Sequence, residues 1–431
     1  MNLQVEQWPI DRLIPFARNS RTHTDDQVAQ VAASIAEFGF VNPILVGLNG
    51  VIIAGHARLL AARKLKLTEA PVIVLAHLTE AQRRALVIAD NRLAEGAGWD
   101  EEMLRVEIED LKAEDFDLDL LGFSQDELDA ILADPEETAA AGQTDEDAAP
   151  EVPESAVTVP GDVWLLGEHR LLCGDSTQIE AVEKVLAGGL ADMVFTDPPY
   201  NVNYGATMKD KLRGKDRKIA NDNLGEGFGP FLYDACVNML ALAKGAVYIC
   251  MSSSELHTLQ KAFREAGGHW STFIIWVKNT FTIGRANYQR QYETILYGWK
   301  EGTDHFWCGA RDQGDVWFVK KPVKNDLHPT MKPVELVERA LRNSSKTQDT
   351  VLDLFGGSGS TLIACERTGR QARLIEMEPK YCDVIVRRWQ EFTGKTATLE
   401  ADSRTFQEVA GIEAESRAGV QDLVQALPDE R

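Results

Sequence analysis

Cysteine is scarce and scattered: six residues in 431, at positions 173, 236, 250, 308, 365 and 382, with no Cys-x-x-Cys pair. That spacing excludes a zinc ribbon and a disulfide framework, and it fits a reducing cytoplasm. No run approaches the ~18 consecutive apolar residues of a membrane span. The most apolar stretch, 235–251, is broken by Lys244 and Gly245. The opening MNLQVEQWPID lacks the basic-then-apolar order of a secretory signal, so neither export nor a membrane partner is expected. Basic residues are in deficit, 45 against 67 acids, for a net charge of −22. Attachment to nucleic acid by overall charge is excluded, although the balance reverses locally.

What is present separates into regions. Residues 1–133 are dense in Leu, Ala, Ile and Val. Residues 134–156 hold eight acids, three prolines and no base. Such a stretch buries too little to offset its ordering entropy and reads as a flexible acidic linker. Residues 157–407 return to globular composition, and 408–431 form a polar tail. The length suits two or three domains.

The first region reads as small α/β. Asp25 opens an apolar-periodic helix closed by Gly39. ILVG, Asn49-Gly50 and VIIAG form a hairpin signal, and AGHARLLAARKL starts a helix directly afterwards. The third region alternates strands and helices from VWLLG to YCDVIVRRWQEFTG, which predicts a mostly parallel, doubly wound α/β sheet.

Asp197-Pro198-Pro199-Tyr200 follows the apolar run MVFT. A strand that stops at two prolines sets Asp197 at the carboxyl edge of the sheet, where α/β ligand sites form. A carboxylate, a rigid carbonyl and an aromatic ring suit a planar ring bearing an exocyclic amine. The same residues also read as a strand-ending turn with a helix-capping Asp. The second motif, Asp353-Leu-Phe-Gly-Gly-Ser-Gly-Ser-Thr, lies between a strand and a helix. It is neither a Walker loop nor GxGxxG. Its glycines allow close approach of a ligand to a helix N-terminus, or serve as a structural turn. Glu376 ends the next strand, a position suited to a ribose diol. No metal-ligand pattern is present.

In this order, DPPY, HPTMKP (328–333), LDLFGGSGST and LIEMEPKY resemble the β group of amino-group DNA methyltransferases, over roughly residues 160–400. The resemblance implies a Rossmann-like domain, S-adenosylmethionine as cofactor and double-stranded DNA as partner. Asp197, Pro198, Pro199 and Tyr200 would be catalytic. Asp353, Phe355, Gly356, Gly357, Ser358, Gly359 and Glu376 would hold the donor, with Glu378 as the alternative acid. His328, Thr330 and Lys332 would close over it, and Asp175 would approach its adenine. Asp before the prolines favours N6 of adenine, with N4 of cytosine as the alternative, in a restriction-modification setting. A partition-type DNA-binding protein with a degenerate methylase domain is a further alternative. The family also allows a homodimer.

Residues 205–220 hold six bases, Lys209, Lys211, Arg213, Lys215, Arg217 and Lys218, against two acids. That run beside the catalytic edge suits DNA phosphates. Residues 270–324, rich in aromatics and bases, read as the target-recognition region. PIDRLIPFARNSRTH, GFVNPILV and GHARLLAARKL resemble the N-terminal domain of ParB partition proteins, related to sulfiredoxin. This second resemblance implies a nucleotide near Arg18, Asn19, Gly55, His56 and Arg58, with a DNA-positioning module that binds no nucleotide as the alternative. Ala57 departs from the family's paired arginines, and no cysteine is available for sulfiredoxin chemistry.

Overall fold

The computed structural model describes residues 3–16, 24–95, 98–132, 142–202, 221–282, 287–309, 313–320 and 331–412. Two units divide the chain, Met1–Asp134 and Pro135–Arg431.

In the first unit the elements are β1 (Val5–Pro9), α1 (Asp25–Phe38), β2 (Ile44–Val46), β3 (Ile52–Ala54), α2 (His56–Lys64), β4 (Glu69–Val74), α3 (Glu80–Glu95), α4 (Glu101–Ala113) and α5 (Gln125–Ile131). The sheet order is β1-β4-β2-β3. Trp8, Ile10, Leu13, Ile44, Val46, Ile52, Leu59 and Val72 form its core. The expected hairpin is β2 against β3, antiparallel. Helix α1 opens at Asp25 and closes at Gly39 as expected, capped by Thr24, whose hydroxyl accepts from the Gln27 amide. Strand β1 carries no readable signal, because Trp8 is its one buried side chain.

The second unit contains β5 (Val163–Leu166), β6 (His169–Cys173), α6 (Ile179–Leu186), β7 (Met193–Thr196), α7 (Phe228–Leu242), β8 (Val247–Met251), α8 (Leu256–Glu265), β9 (Gly268–Thr282), β10 (Arg290–Lys300), β11 (Val316–Phe318), α9 (Val334–Ser344), β12 (Thr350–Asp353), α10 (Ser360–Thr368), β13 (Gln371–Glu376), α11 (Pro379–Thr393) and β14 (Thr398–Leu399). Ten strands form one sheet, ordered β11-β9-β10-β8-β7-β12-β13-β6-β5-β14. Its centre, β8-β7-β12-β13-β6, is parallel, as the alternating pattern predicts. Strands β5, β10 and β14 pair antiparallel outside it.

Side chains alternate between two cores. Met193, Phe195, Tyr248 and Val351 face Val337, Leu341, Ile363 and Ile385 of α9, α10 and α11. Val194, Ile249, Leu352 and Ile375 face Val182, Phe231, Met239 and Phe263 of α6, α7 and α8. Strands buried on both faces read as continuous apolar runs, which is why MVFT and VYICM are legible as strands.

The acidic stretch is a correction. The described part of the expected linker, residues 142–156, is not a free tether: it belongs to the second unit and is held by specific bonds to that unit's helices, while 134–141 lie outside the described residues. The Gln143 amide donates to the Phe392 carbonyl at 2.7 Å. Asp147 accepts from the Val334 amide at 2.9 Å. Glu146 accepts from Arg388 Nη2 at 2.6 Å through its carbonyl, and its carboxylate meets Arg367 at 3.1 Å. Composition misses this because the partners, on α9, α10 and α11, lie roughly two hundred residues away.

Candidate active site

All five parallel strands end at one edge of the sheet, and each ends near a polar residue. Strand β7 delivers Asp197, β12 ends at Asp353 and β13 at Glu376, while Asp175 follows β6 and Ser252 follows β8. Strand β10 runs the other way, so its beginning meets the same edge, with Thr294 opposite Met251. That reversal brings in Glu293, which sequence reasoning missed; QYETILY is simply a strand until its partner is known.

Around Asp197 the polar groups are tightly connected. Tyr200 Oη donates to Asp197 Oδ1 at 2.8 Å and is 3.2 Å from Glu293 Oε2. Lys332 Nζ donates to Asp197 Oδ2 at 2.6 Å and lies 3.3 Å from Glu293 Oε2. Lys278 on β9 bonds the other oxygen of Glu293. The Asp197 side chain is 25% exposed, so it remains reachable. Burial pushes its carboxyl up, against the opposing pull of Lys332. Burial, then Asp197 and Glu293, push the Tyr200 phenol well up, so it stays a donor. Burial would raise Glu293 too, but Lys332 and Lys278 hold it down at about 2. Pro198 is buried, and Asp222 accepts from the amides of Tyr200 and Val202, fixing the turn.

These positions revise one expectation. Lys332 was expected at the methyl donor; its ammonium instead sits on Asp197. His328 and Thr330, its companions in the motif, lie outside the described residues, as do Lys209, Lys211, Arg213, Lys215, Arg217, Lys218, Arg18 and Asn19.

The glycine loop folds against Glu376. Gly357, at φ +54°, donates its amide to Glu376 Oε2 at 2.8 Å, and the Glu378 amide donates to Oε1 at 2.9 Å. Glu376 is therefore the acid joined to the loop, while Glu378 is exposed at the start of α11. Burial pushes the Glu376 carboxyl up to about 7, despite those two amides. A Cβ on Gly357 would meet no protein atom closer than 3.9 Å, so the space beside it is open. At Gly356 and Gly359 a Cβ would press on Ile385 at 3.1 and 3.3 Å; these two glycines let the loop lie on α11. Phe355 packs its ring 5.7 Å from that of Phe231.

Asp353 and Ser358 turn inward. Asp353 accepts from Thr196 at 2.8 Å, Thr361 at 2.6 Å and the Phe355 amide at 3.0 Å. Its carboxylate braces the loop against the strand that carries Asp197, rather than presenting itself to a ligand as expected. Burial pushes it up to about 6. The buried Ser358 gives its carbonyl to Arg388. Asp175 lies beside Glu376, because β6 pairs with β13 and the Gly174 amide donates to the Glu376 carbonyl. It accepts from the amide and hydroxyl of Thr177.

Within 270–324, Trp276 and Trp317 are core. Phe281, Tyr288 and Tyr292, on and beside the β9–β10 hairpin, are exposed. In the first unit, Gly55 takes φ +102° and opens α2. His56 Nε2 accepts from the Phe16 amide at 3.2 Å. Arg58 donates to the carbonyls of Asn42 and Pro43, both at 2.7 Å, so it ties the β2 approach to α2 instead of standing ready for a phosphate.

The DNA methylase family model matches residues 191–387, the ParB N-terminal domain matches 2–91, and a ParB-methyltransferase HTH domain matches 102–160. The third match covers α4, α5 and the docked acidic segment, where the sequence suggested the end of one domain and a linker. YnaK of Escherichia coli, a ParB-like nuclease domain-containing protein, is 48% identical over 82 residues, 19% of this chain and 94% of its own length. The type II methyltransferase M2.MboI of Moraxella bovis is 26% identical over 223 residues, 47% of this chain and 81% of its own. Among solved structures, the M1.HpyAVI–SAM complex is 23% identical, with a TM-score of 0.39, covering 51% of this chain and 98% of that one. The chain thus belongs to the ParB-like family through its N-terminal region and carries, joined to it, a DNA methylase domain of the N6/N4 family.

Proposed function

We propose that this protein transfers a methyl group from S-adenosylmethionine to the exocyclic N6 amine of adenine in double-stranded DNA. The observation that carries the reading is the convergence at one sheet edge of Asp197 with Tyr200 and of Glu376 with an open glycine loop, the two halves braced together by Asp353. The donor fits the second half. Gly357 leaves space where a side chain would stand, and Glu376 offers a carboxylate beside it.

When bound, S-adenosylmethionine supplies an electrophilic methyl group on a sulfonium whose sulfur keeps the bonding pair. The chain's residues prepare the nucleophile. An aromatic amine is weakly nucleophilic because its lone pair is delocalised into the ring. Asp197 and the Pro198 carbonyl accept its two hydrogens and draw the nitrogen toward a tetrahedral shape. Tyr200 stacks on the base. The lone pair then forms the new N–C bond, and one amine proton passes along its hydrogen bond to the Asp197 carboxylate. Positioning and electrostatics supply the rate, without a covalent intermediate. The target base must leave the duplex to reach this edge. The bases of 205–220 would hold phosphates, and the exposed aromatics Phe281, Tyr288 and Tyr292 would meet the DNA. The ParB-like unit would add a second attachment point.

Plasmid DNA incubated with the protein and donor, digested to nucleosides and weighed by mass spectrometry, tests this. N6-methyl-2′-deoxyadenosine is the expected product; N4-methyl-2′-deoxycytidine would reassign the base, and no newly methylated nucleoside would overturn the reading.

A further inference from the structure

The methylating acid does not stand alone. Asp197, Glu293, Lys278, Lys332 and Tyr200 come from the β7 turn, β10, β9, the segment before α9 and again the β7 turn, and they form one closed cluster. Its two carboxylates and two ammonium groups sum to zero. The Lys332 side chain is 6% exposed, the most enclosed of the four charges, and its Nζ also lies 5.1 Å from the centre of the Tyr200 ring. Among the described residues, the other titratable groups facing the cluster are the Cys250 thiol on β8, which burial keeps neutral, and Asp353 on β12.

We propose that Lys332 is a positioning residue for methyl transfer: its ammonium keeps the Asp197 carboxylate charged and aimed at the amine, and Glu293, balanced by Lys278, keeps that ammonium in place. This inference rests on the methyltransferase reading above. A carboxylate drawn into a partly buried site tends to take up a proton. A protonated Asp197 would offer a hydroxyl where the amine needs an acceptor. Lys332 opposes that uptake from 2.6 Å away. Lys278 bonds one oxygen of Glu293, while Lys332 stands 3.3 Å from the other and 2.6 Å from Asp197, so Asp197 is the closer of its two acids.

The test uses the full chain and three variants, Lys332→Met, Lys332→Arg and Lys278→Met. Three quantities are read: kcat for DNA methylation against pH, the Kd for S-adenosylmethionine by calorimetry, and the titration of 13C-labelled aspartate carboxyls in the free protein, with Asp197 assigned by its loss in Asp197→Asn. In Lys332→Met the acidic limb of kcat and the Asp197 titration should both move up by about one unit or more, the usual effect of losing an opposite charge at this range. Lys332→Arg should restore both. Lys278→Met, which touches neither Asp197 nor the amine, should move them the same way by less. Donor Kd should stay within about threefold throughout, and it also reports that each variant is folded. An unmoved Asp197 titration in a folded Lys332→Met overturns the inference, as does a tenfold loss of donor affinity with the acidic limb in place. If Lys332→Met does not fold, an unmoved titration in Lys278→Met overturns it instead. Should the wild type methylate no DNA while the titration moves as stated, the methyltransferase reading fails and the charge network stands.

Discussion

Arg388 on α11 donates through Nη1 to the Ser358 carbonyl, inside the glycine loop, at 2.9 Å, and through Nη2 to the Glu146 carbonyl at 2.6 Å. One buried guanidinium thereby ties the loop to the acidic segment. Burial lowers its pKa to about 10, against the pull of Asp147 and Asp145, so it remains charged at neutral pH. Arg388→Ala strips two carbonyls of a charged donor and empties a filled site. Denaturant unfolding should show a loss of about 3 kcal/mol, within the range for breaking a buried charged network. A loss below about 1 kcal/mol would mean that Glu376, Asp353 and the packing on Ile385 hold the loop without Arg388.

The docked acidic segment shifts the boundary of an independent methylase fragment. A fragment of residues 142–431 keeps the bonds from Gln143, Glu146 and Asp147, and one of 157–431 loses all of them. The longer fragment should be the more stable and should methylate DNA, with weaker apparent DNA affinity than the full chain if the ParB-like unit is a second attachment point. Equal melting temperatures for the two fragments would show that the docking contributes nothing.

Asp197→Asn keeps the side chain's size and removes its charge. The carboxamide is a weaker acceptor and would repel one amine hydrogen if its own NH2 faced the base. Methyl transfer should fall by about 100-fold or more, in line with removing a preorganised electrostatic group. Donor affinity should be unchanged, because the bonds of Glu376 and Gly357 are elsewhere. Near-normal turnover would remove Asp197 from the mechanism.

Glu376 makes donor binding and stability respond oppositely to pH. Ribose hydroxyls donate to a carboxylate, so donor affinity should rise between pH 6 and 8 as a group at about 7 ionises. In the free protein this value lies above the ordinary 4.5. Between the two, the folded state holds a proton that the unfolded chain has released. The stabilising contribution is full below about 4.5 and is lost as pH rises through about 7. Glu376→Gln should therefore flatten both dependences, although its carboxamide can accept from only one of the Gly357 and Glu378 amides. It should also cost roughly tenfold to a hundredfold in donor affinity, for a charged bond of about 1.5–3 kcal/mol. A calorimetric titration at three pH values checks the first half and a thermal scan the second.

The sequence by itself determined the elements and much of the site. MVFT, VYICM and VLDL are apolar because parallel strands are covered on both faces, and a run of that kind is visible without any partner. Asp197 and the glycine loop are legible because prolines and glycines impose local backbone geometry. Tertiary structure alone decided what depends on pairing across distance. Glu293 enters the site because β10 runs antiparallel to β8, and nothing within QYETILY records that direction. Lys332 belongs to Asp197, 135 residues away, rather than to the loop 28 residues on, whose Ser360 hydroxyl takes only its carbonyl. Residues 142–156 look solvated in composition, yet Gln143, Glu146 and Asp147 are held by two arginines, one amide and one carbonyl from helices far along the chain. Local pattern reports which surfaces must be buried; the identity of each polar partner is set only when the sheet brings its strand ends together.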